Sequence, residues 1–237
     1  SDTATRLRCS EVARAREFKF MLERQETYEA LYETFRWEMP ERFNIGVAVC
    51  DRWARREPDR IALYHYDPDL APKTLTYQEL ASRSNALANA LRASGVARGD
   101  RVALLLPQCF ETVIAHVAIY KLGAVAVPLA LLFGVEALEY RLETAGVKAL
   151  VTNENGHEKV RTLRARLPAL QCVISVDGPA GGALGFDDLV ASHASVFDVE
   201  DTGPDDPAMM IFTSGTTGPP KGALHGHRVL LGHLPGV

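Results

Sequence analysis

Apolar and polar positions along this chain keep changing period. Leu80, Leu87 and Leu91 recur at helical spacing between Thr76 and Gly95, which predicts an amphipathic helix. Thr76 and Glu79 stand three apart at its start as a capping box, and Gly95 ends it. The next segment, 101–106, is a short apolar run halted by Pro107, the mark of a buried strand. The alternation then repeats. Further helices are predicted at 110–122, 136–144, 157–167 and 186–193, and further strands at 61–66, 74–76, 124–127, 148–152, 171–175 and 209–213. Asn44 caps an earlier helix that Pro58 stops. Residues 178–185 read as a glycine-rich turn, and the strand at 209–213 is expected to be the last. Strands alternating with helices of about 10–15 residues predict an α/β fold, a mostly parallel sheet flanked by helices.

Before residue 44 the pattern is different. Phe18, Phe20, Met21 and Leu22 precede Tyr28, Leu31, Tyr32 and Phe35 among many charges of both signs. That spacing suits one or two amphipathic helices. Residues 1–43 are therefore read as a helical arm and 44–237 as the body. Trp37 and Trp53 are expected to be packing anchors.

Composition narrows the class. The 237 residues are 47% apolar and 24% charged, which excludes collagen, coiled-coil rods and disordered tails. With 26 basic and 30 acidic side chains the net charge is −4, which argues against nucleic acid and anionic membranes as partners. The longest uncharged apolar stretch, between Lys121 and Glu136, has 14 residues and contains Gly123, Pro128 and Gly134. It is too short and too broken to span a bilayer. Cys9, Cys50, Cys109 and Cys172 lie far apart with no paired spacing. They read as mostly buried thiols, and with no signal segment the expected compartment is the cytoplasm.

The chemistry concentrates in Ile211-Phe212-Thr213-Ser214-Gly215-Thr216-Thr217-Gly218-Pro219-Pro220-Lys221-Gly222. An apolar strand runs into a small, hydroxyl-rich, glycine-rich loop, which suits a polyphosphate. Gly215 and Gly218 let backbone N–H groups approach the ligand. Thr213, Ser214, Thr216 and Thr217 supply hydroxyls, and Lys221 supplies a flexible positive charge. A loop hydroxyl, Thr216 foremost, is a candidate ligand for the Mg²⁺ that accompanies nucleotide phosphates. The string is not a Walker A loop, because two prolines separate Gly218 from Lys221 and Gly222 stands where Ser or Thr is needed.

This string closely resembles the signature loop of the adenylate-forming superfamily, which includes acyl-CoA synthetases, luciferases and peptide-synthetase adenylation domains. That loop reads roughly T-S-G-T-[ST]-G-x-P-K-G, and every fixed position matches. Leu75-Thr76-Tyr77-Gln78-Glu79-Leu80 resembles the family's first core motif, and the segment from Lys121 to Leu129 its second. Tyr140-Arg141-Leu142 and Ala145 to Val151 resemble the stretch that follows, and Asp206 and His225 also fit. The resemblance covers 44–237. The arm looks most like that of the bacterial acetyl-, medium-chain- or aromatic-acid-CoA ligases.

The resemblance implies an AMP-forming acid–CoA ligase with ATP, Mg²⁺ and coenzyme A as cofactors and co-substrates and a small carboxylic acid as substrate. Thr213, Ser214, Gly215, Thr216, Thr217, Gly218 and Lys221 match the loop that holds the ATP phosphates. The family's adenine segment, ribose-binding aspartate, hinge and catalytic lysine have no counterpart in these residues. The chain is therefore expected to be the N-terminal part of such a ligase, with no catalytic residue of its own and no activity alone. The alternative is a non-catalytic phosphate-binding module, or half of a split ligase. Val229, Leu230, Leu231, Leu234 and Val237 predict an apolar helix at the end, and the expectation is either a disordered tail after about Gly222 or self-association that buries this surface.

Other residues carry less. His225, His227 and His233 lack the spacing of a metal cluster and read as polar residues opening a helix after the loop. His116 is expected to be a satisfied core histidine. Asp187, Asp188, Asp205 and Asp206 flank predicted element starts, where carboxylates cap or stay solvated.

Overall fold

In the computed structural model, which describes residues 24–66, 71–214 and 218–236, the alternating pattern becomes a seven-stranded sheet with a separate two-stranded ribbon. The described residues fall into two compact units: 40–228, and the described parts of 1–39 with 229–237.

The unit 40–228 opens at Asn44. Its Oδ1 accepts the Val47 N–H at 3.3 Å, and its Nδ2 donates to the Tyr120 carbonyl at 2.7 Å and to Thr202 Oγ1 at 3.1 Å. The expected helix follows, but Val47–Asp51 is a π-helical turn and only α1 (Arg52–Arg56) is regular. Gly46 shows why this segment can lie so close to its neighbours. A Cβ there would stand 2.9 Å from both the Val117 carbonyl and Lys121 Cγ.

Two antiparallel strands, β1 (Ile61–His65) and β2 (Lys73–Thr76), set Leu63 opposite Leu75. β2 runs directly into α2 (Tyr77–Ala93), where the capping box is complete: Thr76 Oγ1 accepts the Glu79 N–H and Glu79 Oε2 accepts the Thr76 N–H. Leu80, Leu87 and Leu91 are all buried.

The main sheet is built from β3 (Arg101–Leu105), β4 (Val125–Pro128), β5 (Val147–Thr152), β6 (Cys172–Ser175), β7 (Leu184–Gly185), β8 (Pro207–Thr213) and β9 (Lys221–Gly226), in the order β7-β6-β5-β3-β4-β8-β9. Every neighbouring pair is parallel except β8 with β9. The connecting helices are α3 (Phe110–Lys121), α4 (Val135–Ala145), α5 (Glu154–Arg161) and α6 (Phe186–Ser192). Alternation along the strands sorts side chains to two faces. Ala103, Leu105, Val127 and Leu150 join Leu138, Leu142, Val160 and Leu163 in one core under α4 and α5. Val102 and Leu104, on the alternate positions of β3, are equally buried, and α2 packs on α3 and α6.

The expectations for the last strand and for the helix after β5 are corrected. Met209–Thr213 is not the last strand: β8 starts at Pro207, and β9 follows it as an antiparallel partner. Most of β9 is exposed, so no apolar alternation announces it; pairing with β8 makes it a strand. The helix expected at 157–167 instead starts at Glu154. Asn153 Oδ1 caps it by accepting the Gly156 N–H at 3.0 Å, and it gives way to a 3₁₀ turn at Arg164–Arg166. Gly156 is not a break. It lies in the first turn, where a Cβ would collide with Thr152 and Leu105.

In the second unit a short helix, Tyr28–Thr34, buries none of its residues. Trp37 is not a packing anchor. It is 53% exposed and meets Phe35 edge-on at 4.9 Å. Trp53, in the larger unit, does pack, stacking on Tyr77 at 5.8 Å beneath Arg60. The apolar end forms α7 (Val229–His233) and a 3₁₀ turn, with Leu231 buried. Phe18, Phe20, Met21, Leu22 and Cys9 lie outside the described residues. Among those residues no helix is long and apolar enough to cross a membrane.

Candidate phosphate-binding site

The loop of interest joins β8 to β9. β4 and β5 lie on opposite sides of β3, and β8 lies beyond β4. The chain thus reverses direction across the sheet near β3 and β4, and in such sheets ligands gather beyond the carboxyl ends of the strands at that reversal. β8 ends there, at Thr213. The physical reason is plain in its residues: Met209 to Phe212 are apolar and pair along β9, Met209 also stands beside Ala126 of β4, and Thr213-Ser214 begins the polar loop.

The hairpin register fixes the loop's mouth. Thr213 stands opposite Lys221, and Phe212 opposite Gly222. A Cβ at Gly222 would lie 2.8 Å from the Met210 sulfur, so glycine lets the two strands close beneath the loop. Gly218 has φ +88°, with none of the described residues within 4 Å of where a Cβ would stand, a backbone that favours glycine over any L side chain. Thr213, Ser214 and Lys221 are exposed, and among the described residues Lys221 has no ion-pair partner. The mouth therefore offers two hydroxyls and one unneutralised ammonium to solvent. That set fits an anion with several oxygens. Gly215, Thr216 and Thr217, and with them the magnesium reading for Thr216, lie outside the described residues.

Helix α4 flanks the mouth. Tyr140 Oη donates to the Pro220 carbonyl at 3.0 Å. The neighbouring Arg141 lays its guanidinium over the Phe133 ring at 4.1 Å and faces Phe212 at 5.8 Å. Its Nη1 donates to the Ala137 carbonyl at 2.8 Å, and its Nε is buried without a partner among the described residues. Lys159 of α5 donates to the Leu131 carbonyl at 2.6 Å and so holds the turn beyond β4. Periodicity alone marks none of these as site residues, since a tyrosine and an arginine on an amphipathic helix read as surface.

The other candidates have structural occupations. Asp206 Oδ2 accepts the Gly203 N–H at 2.8 Å and pairs with Arg98 at 2.6 Å; Asp205 pairs with Arg228 at 2.9 Å. Asp187 pairs with Arg83 at 3.0 Å at the start of α6. The histidines do not open a helix after the loop. His225 lies in β9, and His227 in the turn that precedes α7. His227 is fully buried. Its Nδ1 accepts the Ile45 N–H at 3.1 Å, its Nε2 has no partner among the described residues, and burial pushes its pKa down to about 4. His116 is half-buried, with Nδ1 3.1 Å from the Tyr120 hydroxyl, and burial likewise lowers it to about 4. Burial pushes the Cys50 thiol up to about 12.

Residues 50–234 match the family of AMP-binding enzymes. An acyl-coenzyme A synthetase of Mus musculus, ACSM4, mitochondrial, is 32% identical over 194 residues, which cover 79% of this chain and 33% of that protein. Among solved structures, an acyl-CoA synthetase of Brucella canis superposes with a TM-score of 0.77 at 27% identity, covering 88% of this chain and 39% of that one. The anthranilate CoA ligase AuaEII, in complex with anthranoyl-AMP, superposes with a TM-score of 0.71 at 28% identity, covering 80% of this chain and 36% of that one. The chain thus spans about a third of the length of the curated relatives it matches.

Proposed function

The chain belongs to the family of AMP-binding enzymes, and from that premise we propose that it supplies the phosphate grip of an AMP-forming acid–CoA ligase. The observation that carries this is the mouth of the β8–β9 loop. Thr213, Ser214 and Lys221 stand exposed, the lysine with no ion-pair partner among the described residues, at the strand end where an α/β sheet gathers ligands. With Gly215, Thr216, Thr217 and Gly218 they bind the β- and γ-phosphates of ATP. Magnesium, when bound, neutralises phosphate charge, and Thr216 is the proposed hydroxyl ligand. The protein's task is to position and to balance charge. A carboxylate oxygen attacks the α-phosphorus in line, and the bond from that phosphorus to the bridging oxygen breaks. Acyl-adenylate and pyrophosphate result. The thiol of coenzyme A then loses its proton and displaces AMP to give the thioester. The anthranoyl-AMP held by AuaEII is an acyl-adenylate of this kind, which supports the reading.

Residues 1–237 alone grip phosphate but make no acyl-adenylate, because no residue among them answers to the family's adenine, ribose or lysine elements. Two measurements test the proposal. Titration with magnesium tripolyphosphate should show binding that Lys221→Ala weakens by about ten- to a hundredfold, the range for losing one charge-assisted contact. Carboxylate-dependent exchange of labelled pyrophosphate into ATP, tried with acetate, octanoate and benzoate, should stay at background. Equal binding by the variant would remove the loop from its role, and exchange by the chain alone would show a complete active site within it. The second reading is a self-standing phosphate-binding module. The closed core of the 40–228 unit favours it, and it shares the first expectation.

A further inference from the structure

We propose that Tyr140 is a positioning residue of the phosphate loop, a latch on helix α4 that sets where Lys221 stands; the proposal rests on the phosphate reading above. A loop of small residues has few contacts of its own, so something outside it must fix its shape. Here the descending limb is Gly218-Pro219-Pro220. Neither proline has an N–H to give, so this limb cannot donate to the ladder or to a neighbouring turn through them. What it has is the Pro220 carbonyl, and the Tyr140 hydroxyl donates to it at 3.0 Å. The next residue along the chain is Lys221, which opens β9 opposite Thr213.

The same helix holds the ascending limb by a different contact. Arg141 lies over Phe133 at 4.1 Å and faces Phe212 at 5.8 Å, and Phe212 also packs on the core that includes Leu138 and Leu142 of α4. Consecutive residues of α4 thus touch both sides of the hairpin just before it opens into the loop. Leu138 and Leu142 of α4 are buried in the core, which makes α4 a fixed support, and Arg141 is tied back to that helix through Ala137. Removing the Tyr140 hydroxyl leaves the Arg141–Phe212 side standing and frees only the limb that leads to Lys221. A positively charged side chain that must meet a phosphate oxygen within a few tenths of an ångström depends on such support more than packing does.

The experiment compares the wild-type chain, Tyr140→Phe, Lys221→Ala and the double variant. Tyr140→Phe keeps the ring and deletes only the hydroxyl. It should quicken amide hydrogen exchange over residues 218–226 while leaving residues 101–128 unchanged. It should also weaken magnesium tripolyphosphate binding by about three- to tenfold, the range for one lost hydrogen bond. In the Lys221→Ala background the same change should alter binding by less than about twofold, because a latch that acts through Lys221 has nothing left to position. A merely structural hydroxyl would lower binding equally in both backgrounds, and that result overturns the proposal. So does unchanged exchange over 218–226. If exchange quickens but the wild-type chain binds no tripolyphosphate, the latch stands and the phosphate reading falls. Should Tyr140→Phe fold poorly by circular dichroism, Tyr140→Leu serves as the second variant, since it is smaller, apolar and without a hydrogen-bond donor, and the same exchange and binding outcomes decide.

Discussion

Lys121 has no exposed atom in its side chain, yet it carries a charge into the core beside Asp51. The ammonium has three hydrogens to donate, and the cluster supplies three acceptors: Asp51 Oδ1 at 2.5 Å, Asn85 Oδ1 at 2.7 Å and Ser84 Oγ at 3.0 Å. Complete pairing of this kind is what makes a buried ion tolerable, and taking away one partner strands the other. Asp51→Ala should therefore cost about 3–5 kcal/mol, because the lysine stays buried without its counter-charge. Lys121→Met should cost distinctly less, since it removes the buried charge and keeps the stem, and Asp51 retains some access to water. Urea unfolding of the two variants compares the costs directly. Equal losses would mean that the stem, and not the charge, is what the site needs. The cluster also explains why the π-helical turn at Val47–Asp51 matters: it carries Asp51, and Cys50 beside it is buried with its thiol protonated up to about 12 by loss of water contact.

At the scale of elements, α2 is the clearest case of a local signal that survives folding. Thr76 and Glu79 exchange hydrogen bonds at the helix start, and the Thr76 backbone N–H and hydroxyl hold the Glu79 carboxyl below the usual carboxylate range. Thr76→Ala should lower stability by about 1 kcal/mol, the ordinary worth of such a cap. Thr76→Ser should keep most of it, because its hydroxyl accepts the same N–H and still donates to the Glu79 carboxylate. Thermal unfolding of the pair tests this, and an alanine variant as stable as wild type would show that the antiparallel β1–β2 pairing alone fixes where α2 begins. The β8–β9 hairpin is the opposite case. β8 is apolar enough to announce itself, whereas β9 borrows its shape from its neighbour, and its glycine at 222 makes sense only once the Met210 side chain, diagonal to it across the hairpin, lies against it.

Across the whole molecule, two neutral histidines make stability depend on acid. His116 and His227 both sit near 4 because burial disfavours their charged forms; at His227 Asp206 raises the value and Arg98 lowers it further. The unfolded chain takes up protons as pH falls below about 6.5, whereas the folded chain refuses them until about 4. Stability should thus be complete above about pH 6.5 and fall through the window down to pH 4, by on the order of 2–3 kcal/mol for each histidine. The urea midpoint measured at pH 7.5, 5.5 and 4.5 follows this, and His227→Gln should flatten the curve. A midpoint that does not move between pH 7.5 and 4.5 would mean that both rings reach water.

By itself the sequence determined the fold class, the capping box that opens α2 and the ordered string of the phosphate loop. These rest on local chemistry: an alternation of period, a threonine three residues before a glutamate, glycines among hydroxyls ahead of a lysine. It also carried the resemblance that the AMP-binding match then showed over residues 50–234. Only the tertiary structure decided which strands are neighbours, that β8 lies beside β4 with β9 folded back on it, and that α4 stands against the loop's mouth. It likewise decided that Lys121 is buried while Trp37 is exposed, against what either residue's polarity suggests. Those facts depend on partners dozens of residues away, and no local pattern encodes a partner that the fold alone brings near.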